Sequence, residues 1–266
     1  MAELKDAVDI EGPCVHSGGL GVVRIEPYLR GAYFRLTPNE APQALSPANY
    51  RPEFLTSVVV DGAGRAGLCP EHVFSSCLLV GMNGFCVTRI SGPYEFPVGP
   101  KDRSYVEILL EQIGAPTPIP TGIDIKSDMS VDVDSDTYWS AIRCDSPRLD
   151  INWQHNGRKA ACGIDRRPAL ADIISIGSAR GFIRSADLAR LQRRGRLLGA
   201  KDSHRWLQLV SADELPTGVL QECARHKLYD LLGDMCALGG MPFGLLKVAQ
   251  PGHAVNGLIR DALLKQ

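Results

Sequence analysis

No run of about 20 apolar residues, the length a membrane-spanning helix needs, occurs in this sequence. Its longest uncharged stretch around the middle, residues 73–88, is broken by Asn83 and two glycines. Neither sign of charge is in excess: 29 Lys plus Arg stand against 30 Asp plus Glu, a formal net charge of -1. No overall field therefore draws the chain to a nucleic acid, and any basic patch must be local. Eight cysteines are scattered without one C-x-x-C pair, so no paired-cysteine motif is present and they read as reduced, mostly buried thiols. The first ten residues carry Glu3, Lys5, Asp6 and Asp9 in place of the apolar core of a secretory signal. Short repeats and low-complexity tracts are also missing. These absences set the expectations of a cytoplasmic protein with no stable membrane insertion and no nucleic-acid partner.

What is present is enough for a sizeable core. In 266 residues, 44% are hydrophobic and 22% charged, which excludes disorder, collagen and coiled coil and suits one large or two modest domains. Pro116, Pro118 and Pro120 fall within five residues in the segment 114–122, which disfavours both helix and central strand and reads as a linker. Before it, apolar patterning predicts strands over 21–26, 32–36, 57–60 and 85–90 and helices over 70–79 and 105–113. After it come strands over 124–125, 138–143 and 149–153 and helices over 169–174, 185–192 and 218–238. The reading is α+β, with a domain over 1–115 and a second over 122–266. The single basic run, 190–196, fits the solvated end of a helix, or alternatively a phosphate-facing patch.

Chemistry concentrates in the last long helix. His226 and Asp230 are four residues apart and Asp234 lies four further on, so all three project from one side. Leu220, Leu228, Leu231 and Met235 fill much of the opposite arc. Burying one imidazole and two carboxylates costs several kcal/mol unless something cationic or hydrogen-bonding meets them. A divalent metal would do so, and His with Asp at this spacing supplies nitrogen and oxygen ligands. A third ligand could come from His16, His72, His155, His204 or His253. Glu71-His72 follows Pro70 at a helix start; the imidazole could bind metal while the carboxylate takes a proton. His253 stands on a Gly-flanked turn, which suits a catalytic acid as well as an ordinary polar loop residue. His155, beside Asn156-Gly157, reads as a hairpin turn, and His204 as exposed.

The run 224–234, the later Gly252-His253-Ala254-Val255-Asn256, Pro70-Glu71-His72, Val15-His16-Ser17-Gly18 and Leu191-Gln192-Arg193-Arg194-Gly195 together resemble the UDP-3-O-acyl-N-acetylglucosamine deacetylase family, the zinc amidohydrolases of lipid A synthesis. The likeness runs in order from about Gly12 to Leu264. It implies two similar α+β domains with helices sandwiched between two β-sheets and a metal at the seam. It also implies that His72, His226 and Asp230 hold Zn2+, that Glu71 is the general base, and that His253 is the acid that protonates the leaving amine. Asp234 would orient His253, Lys227 would face the phosphates of a small nucleotide-sugar substrate, and Arg180 and Phe182 would stand beside that substrate.

Four departures concern the substrate. Ala179 replaces the family's threonine, whose hydroxyl donates to the oxyanion; Arg180 or Ser178 is expected to compensate. The stretch 199–206 has few apolar residues to line an acyl passage. Pro97-Val98-Gly99-Pro100-Lys101-Asp102 replaces the family's Pro-Ile-x-Asp-Gly-Ser, and Gln250 replaces a lysine. Deacetylation of a different N-acylated sugar or nucleoside lacking a long acyl chain, and a non-catalytic zinc or nucleotide-sugar binding protein, therefore remain as alternatives.

Overall fold

The computed structural model describes residues 4–200, 205–210 and 215–266. The chain begins with the antiparallel pair β1 (Val8–Pro13) and β2 (Leu20–Pro27), then β3 (Gly31–Arg35) and the short β4 (Gln43–Ala44). A three-stranded antiparallel sheet of β5 (Tyr50–Glu53), β6 (Thr56–Val60) and β7 (Ala66–Leu68) leads into α1 (Glu71–Leu79), β8 (Gly84–Ser91) and α2 (Tyr105–Ile113). Beyond the Pro-rich segment come β9 (Thr121–Asp124), β10 (Met129–Asp132), β11 (Tyr138–Ile142), β12 (Arg148–His155) and β13 (Arg158–Asp165). The chain continues through α3 (Leu170–Gly177), β14 (Gly181–Arg184), α4 (Ser185–Arg193), β15 (Leu207–Val210) and α5 (Thr217–Met235). It ends with β16 (Met241–Phe243), β17 (Leu245–Ala249) and α6 (His253–Leu263).

The two five-stranded sheets repeat one topology. Their orders are β1-β2-β8-β3-β4 and β10-β11-β17-β12-β13. In the first, β8, which follows α1, enters the middle, and in the second β17, which follows α5 and β16, does so; each is antiparallel to one neighbour and parallel to the other. Helices α1 and α5 thus hold equivalent places in the two units, and they pack on each other. This is the expected α+β arrangement of two similar domains with helices between two sheets.

The sequence gives physical reasons for that layering. Strands β2, β3 and β12 alternate buried residues with more accessible ones, the mark of a sheet with one face on a core. All nine residues of α1 are buried, as befits a helix covered on both sides; Phe74 on α1 meets Phe85 on β8 at 6.1 Å between centroids. Helix α5 lies against β12 and β13. At its contact with α1, a Cβ on Gly233 would stand 2.2 Å from the Glu71 carbonyl oxygen, so only glycine lets the two helices approach at the residues that carry the chemistry.

Some elements were not expected. Strands β13 and β17 are not among the predicted strands: the first is an edge strand with a broken apolar pattern, and the second, Leu-Leu-Lys-Val-Ala, is apolar at four of five positions and lacks the alternation of a half-buried strand. The segment read as a linker is tied down: Ile119 donates to the Arg166 carbonyl (2.8 Å), Thr117 donates to the Gly81 carbonyl (3.0 Å), and β9 begins at Thr121. Proline lacks an N–H, but its neighbours do not. Asn156 and Gly157, both in the left-handed region (φ 48 and 77), form the expected tight turn between β12 and β13. Among the described residues no helix is long and apolar enough to cross a membrane.

Candidate metal centre and active site

Helix α1 starts after a sharp bend: Cys69 takes a left-handed backbone (φ 57) and Pro70 leads into the first turn. That turn carries Glu71 and His72, and it faces His226 and Asp230 on α5. The His72 ring Nδ1 lies 3.1 Å from the Val98 carbonyl and the His226 Nδ1 lies 3.0 Å from the Ala179 carbonyl. A carbonyl only accepts, so hydrogen bonding places a proton on Nδ1 in both rings, and each Nε2 carries the lone pair when its ring is neutral. Both Nε2 atoms point at one carboxylate oxygen, Asp230 Oδ1, at 3.3 and 3.5 Å. That oxygen is buried and has no hydrogen-bond partner.

Three lone-pair atoms converging without a proton repel one another, and a cation relieves the repulsion. Ligand atoms held tetrahedrally at bonds of about 2.0–2.2 Å stand roughly 3.3–3.6 Å apart, and each Nε2 stands at such a distance from Asp230 Oδ1. His72, His226 and Asp230 are accordingly suited to hold a metal ion, their ligand atoms lying within 4.8 Å of one another. The charge states of His226 and Asp230 agree with this. Burial pushes the His226 pKa down to about 4, only partly opposed by Asp230, so the ring is neutral. Burial works to raise Asp230, but His226, Lys227 and His72 hold its carboxyl well below the usual range. His72 differs: burial works to lower it, yet Asp230 and Glu71 bring it above its ordinary value, which favours a second proton on the ring that a cation at Nε2 displaces. Lys227 binds the second oxygen, Asp230 Oδ2, at 3.0 Å, which turns Oδ1 towards the imidazoles. A Cβ on Gly181 would stand 3.0 Å from the His226 Nε2, so a larger residue would crowd the same spot.

Beside this cluster stands a second set of groups. His253 opens α6, following Gln250 (φ 54) and Pro251. Its Nδ1 lies 2.9 Å from Asp234 Oδ2, and its Nε2 lies 3.8 Å from Glu71 Oε1. Burial opposes protonation of His253, but Asp234, Glu71 and Asp230 raise its pKa to about 9. Burial raises the Glu71 pKa, with His253 and His72 pulling the other way. Four residues that sequence reasoning gave no role complete the set. Asp234 accepts from Tyr50 (2.9 Å), Ser57 (2.6 Å) and Asn256 (2.7 Å), and Thr56 donates to Glu71 Oε1 at 2.8 Å. Asn256 lies three residues beyond His253 on one helix face, a spacing that could have marked it. The others are separated from their partners by loops and show no such signal.

A cavity opens from these groups. The metal ligands, Glu71, Lys227, His253 and His16 line its polar side, and Val15, Val98, Ile183, Leu197, Trp206 and Leu207 its apolar side. The apolar wall was not expected, because the stretch 199–206 reads as polar; the wall joins Trp206 of that stretch to Ile183, Leu197 and Leu207 outside it and to Val15 and Val98 of the first unit. Residues 201–204, including His204, lie outside the described residues. Phe182 lines the cavity. Arg180 does not: its guanidinium binds Glu222 at 2.8 and 3.0 Å. The Ala179 carbonyl accepts from His226 Nδ1, a backbone contact that does not replace the donor hydroxyl of a threonine. Gln250 is engaged with the backbone of Gln154 (3.1 and 3.0 Å). The basic run ends α4, where Arg190 pairs with Asp187 at 2.8 Å.

The family model for UDP-3-O-acyl N-acetylglycosamine deacetylase matches residues 2–265. Among curated proteins, the UDP-3-O-acyl-N-acetylglucosamine deacetylase of Vibrio campbellii is 26% identical over 282 residues, covering 98% of this chain and 88% of that protein. The deacetylases of the same name from Histophilus somni (25% identical, 98% and 89% covered) and Shewanella denitrificans (24%, 99% and 89%) are similar over the same extent. With a match from end to end, this chain belongs to the UDP-3-O-acyl N-acetylglycosamine deacetylase family.

Proposed function

We propose that this chain is a zinc-dependent hydrolase that removes the N-acetyl group from a UDP-linked, 3-O-acylated glucosamine on the route to lipid A. The observation that carries the metal reading is the pair of bare Nε2 atoms aimed at the partnerless Asp230 oxygen. Two imidazoles and one carboxylate form a zinc ligand set that leaves a coordination position free. Zinc held there supplies a Lewis acid for the amide carbonyl and brings water into the range where it loses a proton near neutrality.

The chain's own residues divide the remaining work. Glu71, buried and less acidic than an ordinary carboxyl, takes the proton from the attacking water as general base. His253 is protonated at neutral pH because its pKa is about 9. Asp234 holds the Nδ1 side of that ring, so the Nε2 proton faces the cavity and passes to the leaving amine. Lys227 has donors beyond its bond to Asp230 to offer a phosphate, and Phe182 offers a ring face to the sugar. The apolar wall of Ile183, Leu197, Trp206 and Leu207 suits an acyl chain, at about 0.8 kcal/mol per buried CH₂. This supports the acylated substrate over one lacking the chain.

Incubation with UDP-3-O-(3-hydroxyacyl)-N-acetylglucosamine, followed by mass detection, tests the reading. Equal amounts of acetate and free-amine product are expected. Release of acetate from UDP-N-acetylglucosamine at the same kcat/KM would overturn the acyl preference, and no release from either would overturn the activity.

A further inference from the structure

Strand β6 begins with two hydroxyl residues, Thr56 and Ser57, whose relative exposures are 0% and 1%. They sit between the base and the acid. Thr56 Oγ1 accepts from the Cys69 N–H at 3.1 Å, which leaves its own hydrogen free; Glu71 Oε1 at 2.8 Å is the nearest of its acceptors. The Ser57 backbone N–H donates to the other oxygen of Glu71 at 3.3 Å. The Ser57 hydroxyl donates to Asp234 Oδ1 at 2.6 Å and lies 3.3 Å from His253 Nδ1. One dipeptide therefore touches both oxygens of Glu71 and also the carboxylate that holds His253.

We propose that Thr56 and Ser57 are positioning residues for the hydrolytic reaction: β6 fixes the Glu71 carboxylate and the Asp234–His253 pair relative to each other. The inference rests on the deacetylase reading above. Glu71 and His253 sit on two different helices, and each side chain has rotatable bonds to lose. A carboxylate gripped at both oxygens cannot swing, and the Ser57 hydroxyl blocks rotation of Asp234. The separation of 3.8 Å between Glu71 Oε1 and His253 Nε2 is then a property of the strand. Displacement of a reacting group by about 1 Å can cost on the order of 100-fold in rate.

The test compares zinc-loaded wild type with Thr56→Val, Thr56→Ser and Ser57→Ala. The readouts are kcat and KM for the acylated UDP-sugar, zinc per chain and Tm. In Thr56→Val and Ser57→Ala, kcat is expected to fall about 10- to 100-fold while KM stays within about threefold. Zinc content is expected to hold in both, and Thr56→Ser to restore most of kcat. Values of kcat within about twofold of wild type in both variants would overturn the proposal. So would losses that track Tm or zinc content and are not rescued by Thr56→Ser. If Thr56→Val does not fold, Ser57→Ala, which removes one oxygen atom, decides alone. A wild type that releases no acetate sinks the deacetylase reading and the proposal together; an active wild type with unaffected variants sinks only the positioning.

Discussion

Asp230 and Asp234 stand one turn apart on α5, nearly equally buried at 2% and 4% exposure, and their surroundings are opposite. Asp234 accepts from Tyr50, Ser57, His253 and Asn256, enough donors for the roughly four lone-pair sites of a carboxylate. Asp230 has Lys227 on one oxygen and, on the other, only the two imidazole Nε2 atoms at 3.3 and 3.5 Å. A carboxylate with every site filled is rigid and suited to orient a neighbour. One with a buried oxygen facing two bare imidazole nitrogens is incomplete until a cation arrives. Sequence spacing cannot separate these cases, because both residues obey the same i, i+4 rule. The partners arriving from other elements decide which is which.

Removing ligands on the Asp230 side should have the largest effect. His226→Ala and Asp230→Ala are expected to drop zinc from about one per chain to background by elemental analysis, with acetate release lost. Glu71→Gln is expected to keep its zinc while kcat falls by on the order of 10²- to 10⁴-fold. On the other side of the comparison, Asp234→Asn should also keep zinc, and its kcat should fall by about 100-fold as the imidazole loses its orientation. The basic limb of its pH–rate profile should move to lower pH, because Asp234 is the leading charge that raises His253 to about 9. A variant that lost zinc at position 234 as readily as at 230 would erase the distinction.

Stability offers a second test of the Asp234 side. A histidine whose folded-state pKa lies above its unfolded value stabilises the fold fully below the unfolded value of about 6.5. That contribution is lost as pH rises towards about 9, the folded value for His253. The Tm of wild type should therefore fall across that window more than the Tm of Asp234→Asn. The smallest effect is expected from Tyr50→Phe, which removes one of the four donors to Asp234. It should cost about 1 kcal/mol of stability by denaturant titration and change kcat by less than about threefold.

Much of the molecule could be read from the chain because its signals are local. Pro70 with a carboxylate in the first turn marked α1, the spacing of His226, Asp230 and Asp234 marked one face of α5, and Asn156-Gly157 marked a turn. The repeated sheet order could not be read, since it depends on β8 and β17 entering sheets whose other strands lie far away in sequence. Thr56, Ser57 and Tyr50 were missed for a related reason: hydroxyl residues are ordinary in strands, and those from Ser57 and Tyr50 to Asp234 span 177 and 184 residues. The apolar cavity wall is not legible in the composition of 199–206, because only Trp206 comes from that stretch, whereas Ile183, Leu197 and Leu207 join it only in the folded chain.

The most direct test is anomalous diffraction at the zinc absorption edge from crystals of the zinc-loaded protein. One strong peak is predicted about 2.0–2.2 Å from each of His72 Nε2, His226 Nε2 and Asp230 Oδ1. A His72 ring turned away from α5, with no peak between the two helices, would contradict the account.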